Sequence, residues 1–422
     1  MTASETARAT GDGEAAFTPI EAAQRIQVLD VVRGFALLGI FLMNIEWFTR
    51  PVQQMGWGID PAATGIDRTA AWLVYVFVQG KFWVLFSLLF GMGFAVMSTR
   101  GGHGAQFRRT YLRRCAVLLA FGVLHGVLLW SGDILHAYAV AGLLLLAFGE
   151  IGNRTRLWLG LGLYLAMVAL FLCGGLLLSL LPEDAAAELG ALSGDIEAQA
   201  AAASRVFAEG GYWQVTAQRA ADFAMVAVQG SMMMVPMALG VFMLGAWLVR
   251  SGRMHDVAAQ RGWFARLALW TIPLGLAFVA LSVSIGTRFD GMRELGPMML
   301  ATGVMFLGNL PLALGYLSLL VLALGVPGLS RVLSWLAPAG RMALTNYLAQ
   351  SLVASTLFYG YGFGLWGQVG RAGQVLLVFA VFALQVVASR WWLARHRFGP
   401  VEWLWRWLAY GHRPALRLPA TA

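Results

Sequence analysis

The chain has 422 residues, 59% of them hydrophobic and only 12% charged, with a net charge of +9. Soluble globular chains carry about 25% charged and ~45–50% apolar residues, so this composition excludes a soluble enzyme, a disordered protein and a nucleic-acid-binding domain. It indicates an all-α, polytopic membrane protein, because its apolar runs reach about 20 residues whereas a spanning β-strand needs only ~9–11 alternating ones.

Residues 1–24 are polar and small and read as a disordered cytoplasmic tail rather than a signal peptide. A transmembrane bundle is expected over 25–397. Its ten candidate spans lie at roughly 27–48, 70–98, 112–131, 133–150, 156–181, 223–249, 263–286, 295–325, 332–358 and 371–394. The run 70–98 reads either as one span or as a short interfacial helix followed by a span from Phe82. The run 295–325 holds Gly308, Asn309, Pro311 and Gly315 near its middle, a composition that predicts a kink. Between spans the charge alternates. Arg100, Arg108, Arg109, Arg113 and Arg114 share one segment with no acid, whereas 182–222 carries seven acids against Arg205 and Arg219. Basic segments collect in the cytoplasm. With an even span count, both termini are expected there and the acidic loop outside. In the tail 398–422, Glu402 and Arg406 stand at i, i+4 among Trp and Leu, a pattern that predicts a helix lying in the cytoplasmic interface. Cys115 and Cys173 suggest neither a disulfide framework nor a metal site.

A charge inside a span costs ~2.5–3.5 kcal/mol at its centre on insertion scales, so polar residues within apolar runs are the candidate functional positions. Asp30 and Arg33 are one turn apart and can pair. Asn44 lies eleven residues beyond Arg33, on the same face and ~16 Å further along the axis. The third and fourth spans form a hairpin through Ser131-Gly132. His125 lies below that turn and Asp133 just after it. A histidine beside a carboxylate suits a general base. The competing reading makes Asp133 an N-cap and His125 a satisfied interhelix hydrogen bond. Lys81 is the only lysine of the chain. It is a snorkelling anchor if its span starts near Phe82, and buried and functional if the span starts near Thr69. Arg341, Thr345 and Asn346 sit in the inner half of the ninth span. There the alternative to substrate contact is hydrogen bonding between helices. The sequence has no Walker loop, no GxSxG and no His-Glu-x-x-His, and metal binding has no support.

Five motifs in order resemble the YeiB-like family of bacterial inner-membrane proteins, mostly of unknown function. They are Leu29-Asp30-x-x-Arg33-Gly34, Lys81-Phe82 through Phe90-Gly91, Trp130-Ser131-Gly132-Asp133, Gly340-Arg341 through Asn346-Tyr347, and Phe398-Gly399-Pro400-x-Glu402-Trp403. The opening motif is also similar to transmembrane acyltransferases, among them heparan-alpha-glucosaminide N-acetyltransferase and the bacterial membrane O-acyltransferases. These are thought to use cytoplasmic acyl-CoA to acylate sugars on the far side. In that resemblance Arg33 matches an arginine that the O-acyltransferases pair with a histidine eleven residues on, where Asn44 stands here. No histidine occurs between Asn44 and Arg100, which leaves His125, and second His136, to substitute.

The expectation is therefore a multi-pass protein of the bacterial inner membrane with a pocket open to both faces. Asp30, Arg33 and Arg341 would meet the phosphates of an acyl-CoA donor in the inner half, with Asn346 a further substrate contact. Asn44, Lys81, His125 and Asp133 would meet an acceptor hydroxyl or amine in the outer half. His125 would act as base, Asp133 would orient it, and Asn44 would stabilise the oxyanion. The acceptor would be a small molecule or an envelope glycan. No tightly bound cofactor and no nucleic acid is expected. Lipids are the surrounding partner, and a monomer and a homodimer both fit. Two rival readings are a transporter of a small amphiphile and a noncatalytic membrane scaffold.

Overall fold

The computed structural model describes residues 27–54, 59, 63–101, 104–286 and 294–419; the expected tail at 1–24 lies outside them. The described elements are helical: α1 Gln27–Asn44, α2 Gly65–Phe77, α3 Lys81–Gly101, α4 Ala105–Leu128, α5 Leu135–Ala147, α6 Asn153–Ser179, α7 Glu183–Glu209, α8 Tyr212–Met225, α9 Ser231–Arg250, α10 Arg261–Gly286, α11 Leu295–Leu324, α12 Pro327–Leu333, α13 Ala337–Arg341, α14 Ala343–Phe358, α15 Arg371–Leu393 and α16 Pro400–Tyr410.

Among the described residues, eight helical stretches are long and apolar enough to cross a membrane. The expected crossings at 133–150 and 332–358 coincide with shorter helices, α5 of 13 residues and α14 of 16. At 1.5 Å per residue these rise ~20 and ~24 Å, against a hydrocarbon core of ~30 Å. The run 70–98 is two helices, α2 and α3. The chain turns between them at Gly80, whose φ is +80° and whose missing Cβ leaves room for the Asn309 side chain. Lys81 therefore starts α3, yet it does not snorkel. It is 0% exposed, and its Nζ donates to the Tyr75 carbonyl at 3.1 Å. The α11 helix runs unbroken through Pro311. The acidic loop folds as α7 and most of α8, and a five-residue π-helix, Val226–Gly230, joins α8 to α9.

The α3 and α9 helices cross at the centre of the bundle with their backbones almost touching. A Cβ added at Gly245 would lie 2.0 Å from the Leu88 carbonyl oxygen, and one at Gly91 would lie 1.9 Å from that of Phe242. Small residues at such crossings let helices gain van der Waals contact where lipid supplies no hydrophobic drive. Gly245→Ala should accordingly destabilise the fold by at least ~1–3 kcal/mol. Gly162→Ala, whose Cβ would meet nothing within 4 Å, should be neutral or stabilising. Thermal unfolding of the two variants in detergent checks the contrast.

At the other end of the chain, α16 folds back against α4 and α14. The Trp405 indole N–H donates to the Arg114 carbonyl at 2.9 Å, and the Arg114 guanidinium lies 4.2 Å from that ring. Glu402 turns inward, and its carboxylate accepts the backbone N–H groups of Leu344 at 2.7 Å and Thr345 at 3.0 Å. The first N–H groups of a helix have no partner within it, so α16 supplies from outside the cap that α14 lacks. Burial pushes the Glu402 carboxyl above the usual carboxylate range, even though the hydrogen bonds from Thr345 and Leu344 act in the opposite sense. An acid with a raised folded pKa contributes stability that is complete below its unfolded pKa and is lost as pH rises through the folded one. Lowering the pH from 7 towards 5 should therefore raise the unfolding temperature of the wild type relative to Glu402→Gln. Paired melts across that range would show no such trend if the carboxyl titrated normally.

Candidate functional site

A cavity of about 310 Å³ lies between α1, α3, α4, α5, α13, α14 and α16. One end is ringed by charge. Asp30 and Arg33 come from α1, Arg114 from α4, Arg341 from α13, Arg397 from the turn before α16, and Glu402 and Arg406 from α16 itself. Arg33 pairs with Asp30 at 2.7 Å, as their spacing predicts. Arg341 reaches the Arg397 carbonyl at 3.5 Å. Glu402 is committed to α14, so five guanidinium groups surround this end with Asp30 as the remaining carboxylate. Such a ring raises the local concentration of anions. Behind it the wall is apolar, with Leu37, Leu89, Phe90, Phe94 and Leu118. The lining of α3 extends from Met97 to Phe86, eleven residues or ~16 Å of helix. Ile134, Tyr138 and Tyr347 close the far end, so the cavity is not the pocket open to both faces that the sequence leads one to expect.

The expected histidine–carboxylate pair lies directly behind that end. The His125 ring is 5.0 Å from the Tyr347 ring, centroid to centroid. Its Nδ1 is 2.8 Å from Asp133 Oδ1. The other carboxylate oxygen accepts the His136 backbone N–H at 2.9 Å and lies 3.2 Å from His136 Nδ1. His136 Nε2 in turn is 3.2 Å from the Ser231 hydroxyl. Both readings of Asp133 therefore hold together, since it caps the start of α5 and also orients His125. The side chain of Asp133 is fully buried, so an ionised carboxylate there calls for a proton on each facing Nδ1. That leaves the lone pair of His125 on Nε2, a buried atom with no hydrogen-bond partner among the described residues. A histidine held in this way can accept a proton from a neighbouring group.

The remaining expected site residues do not all gather here. Asn44 is buried at the end of α1. The turn after it reaches the same hairpin, where the Trp130 indole donates to the Trp47 carbonyl at 3.3 Å and Phe48 stacks on Trp130. Among the described residues no hydrogen bond joins Asn44 to His125 or Asp133. Lys81 lies elsewhere, between Tyr75 and Met305, and does not line the cavity. Asn346 donates to the Ala339 carbonyl and to Ser389 on α15, which is the interhelix role. Conversely, Arg114, Arg397 and Arg406 stand out in the sequence only as basic residues, Tyr347 only as a letter of one motif, and Ser231 not at all. No group of three or more potential metal ligands occurs among the described residues.

Residues 248–412 match the family described as "Protein of unknown function (DUF418)". The chain is 33% identical over 404 residues to "Uncharacterized protein YxaH" of Bacillus subtilis, covering 92% of this chain and 94% of that one. It is 32% identical over 399 residues to "Uncharacterized protein YeiB" of Escherichia coli K12, covering 91% and 96%. No solved structure matches it. A likeness of this degree, sustained over more than nine-tenths of the chain, means that the chain belongs to the DUF418 or YeiB-like family of uncharacterized bacterial proteins.

Proposed function

We propose that this polytopic membrane protein is an acyltransferase of the bacterial inner membrane. It takes an acyl group from a cytoplasmic acyl-CoA-type donor and passes it to a hydroxyl or amine of an envelope or small-molecule acceptor at the outer face, which the far end of the cavity would have to open to admit. The observation that supports this reading is a single cavity with arginines at one end and a buried His125–Asp133 pair behind the other. Donor phosphates would meet Arg33 and Arg341, joined by Arg114, Arg397 and Arg406, while the arm of the donor follows the apolar wall. At the closed end the acceptor oxygen or nitrogen attacks the thioester carbonyl. A carbon–oxygen or carbon–nitrogen bond forms and the carbon–sulfur bond breaks. His125 Nε2 takes the acceptor's proton and returns it to the departing sulfur, while Asp133 holds the ring.

The transporter reading rests on the same cavity, whose cationic end and apolar wall suit an anionic amphiphile without any reaction. The two readings separate in nanodiscs supplied with acetyl-, butyryl- and palmitoyl-CoA, with release of free thiol as the measure. Transfer predicts thiol release that His125→Ala abolishes. Binding without release, indifferent to His125→Ala, would favour the carrier. Arg33→Lys should weaken donor binding by about ten- to a hundredfold with the fold intact, because lysine cannot make the bidentate contact. If the wild type bound no CoA thioester, the acyltransferase reading would fall.

The direction of transfer depends on topology, which the loop charges predict. Gln199 is exposed on α7 and Leu418 is exposed in the tail. In a Cys173→Ala background, a cysteine at 199 should react with an impermeant maleimide in intact spheroplasts. One at 418 should react only after permeabilisation. The reverse pattern would place the arginine-ringed end outside.

A further inference from the structure

The closed end of the cavity holds a donor without an acceptor. Tyr138 and Tyr347 both line it. The Tyr138 hydroxyl is fully engaged, donating to the Trp83 carbonyl at 2.9 Å and lying 2.6 Å from Ser87 Oγ. The Tyr347 hydroxyl is not. It is buried with its oxygen facing the Ile134 backbone N–H, and its O–H finds no acceptor among the described residues. Its ring is the one that touches His125, whose Nε2 is likewise buried and unpartnered. An unpaired buried polar atom costs stability and is uncommon in folded proteins. Here a donor lines the end of the cavity and an acceptor is buried on the ring that packs directly behind it, an arrangement that a polar group on a ligand would complete.

We propose that Tyr347 is a catalytic residue, its hydroxyl donating to the carbonyl oxygen of an acyl group seated at the closed end and holding the negative charge that this oxygen gains. The proposal rests on the acyl-transfer reading above and adds the oxyanion donor, the role expected of Asn44. The chemistry is that of a thioester. As the acceptor attacks the carbonyl carbon, the π-electron pair moves onto oxygen, and the Tyr347 O–H stabilises it there without giving up its proton. The pair returns as the carbon–sulfur bond breaks. The acceptor's proton passes through His125 Nε2 to sulfur, so no oxidant or further reactant is needed.

Tyr347 is also fixed in place, as such a donor must be. One turn earlier, Leu344 and Thr345 are pinned by Glu402, and the preceding residue, Asn346, is tied to Ser389 on α15. A phenol on this stretch of α14 cannot drift with the lipid-facing surface. Asn346 itself points to α15, which leaves Tyr347 as the member of the Asn346-Tyr347 pair that faces the cavity.

The test compares full-length wild type with Tyr347→Phe in nanodiscs, a change that keeps the ring contact with His125. Three quantities are read: thiol release from the acyl-CoA that the wild type turns over, affinity for CoA, and affinity for 2-oxopropyl-CoA, a ketone that cannot transfer its acyl group. Loss of an oxyanion donor predicts a fall in kcat of about a hundred- to a thousandfold. The affinity for CoA, which has no acyl carbonyl, should stay within about twofold, the pattern of an interaction made only in the transition state. The ketone should bind the wild type more tightly than CoA does and lose that advantage in Tyr347→Phe. Undiminished turnover in Tyr347→Phe would overturn the role of Tyr347 and leave the acyltransferase reading standing. Wild type that binds CoA without releasing thiol moves the decision to the ketone, where equal affinity in both proteins overturns the proposal. Wild type that binds no CoA overturns both.

Discussion

Asp133 is a carboxylate with no exposed side-chain surface in a bundle built largely of apolar residues. Such a charge persists only where partners surround it, and removing one partner of a buried pair typically costs about 3–5 kcal/mol. Its two oxygens gather the end of α4 through His125, the start of α5 through the His136 backbone, and the start of α9 through His136 and Ser231. The approach is close enough to need a glycine. A Cβ at Gly122 would lie 2.8 Å from Asp133 Oδ2 and 2.5 Å from the His136 nitrogen. Three helices thus take their relative height from one group. The distance between His125 and Tyr347, on which any chemistry at the closed end depends, follows from it.

The opposite end is organised by the same requirement in different form. There the charges are arginines in excess, gathered from α1, α4, α13 and α16, and none is fully buried. Guanidinium groups stay charged at any physiological pH and hydrate weakly, so they can crowd one opening where lysines would repel and titrate. The one acid on α16 that might have neutralised them, Glu402, is spent on the start of α14. The cavity therefore joins a permanently cationic end to a closed end where polar groups are buried, with an apolar wall between them.

Much of this arrangement could be read from residue spacing. The long spans follow from apolar runs, the Asp30–Arg33 pair from a one-turn separation, and the His125–Asp133 contact from a hairpin too short to keep the two apart. What escaped the sequence depended on rotation and on distance along the chain. Lys81 is buried because α2 folds over it after the turn at Gly80, which no periodicity reveals. Asn346 faces α15 because α14 restarts after Met342 with a new helical phase. Arg114 and Arg406 are nearly three hundred residues apart and become neighbours only when α16 returns. Tyr347 has no charge to mark it within an apolar helix, so only the cavity distinguishes it from a packing residue.

The meeting of α1, α13 and α16 around one cavity also sets an order of events in biosynthesis. Arg33 leaves the ribosome among the first residues of the bundle, and Arg406 among the last. At ~5–20 residues per second the interval between them is roughly twenty to seventy seconds. Throughout that time Asp30 and Arg33 are at the membrane while their later neighbours do not yet exist, and α14 has no cap until Glu402 follows it. The cationic ring therefore closes only as translation ends. A chain truncated before α16 keeps four arginines of the ring but lacks Arg406 and the cap on the helix that carries Tyr347.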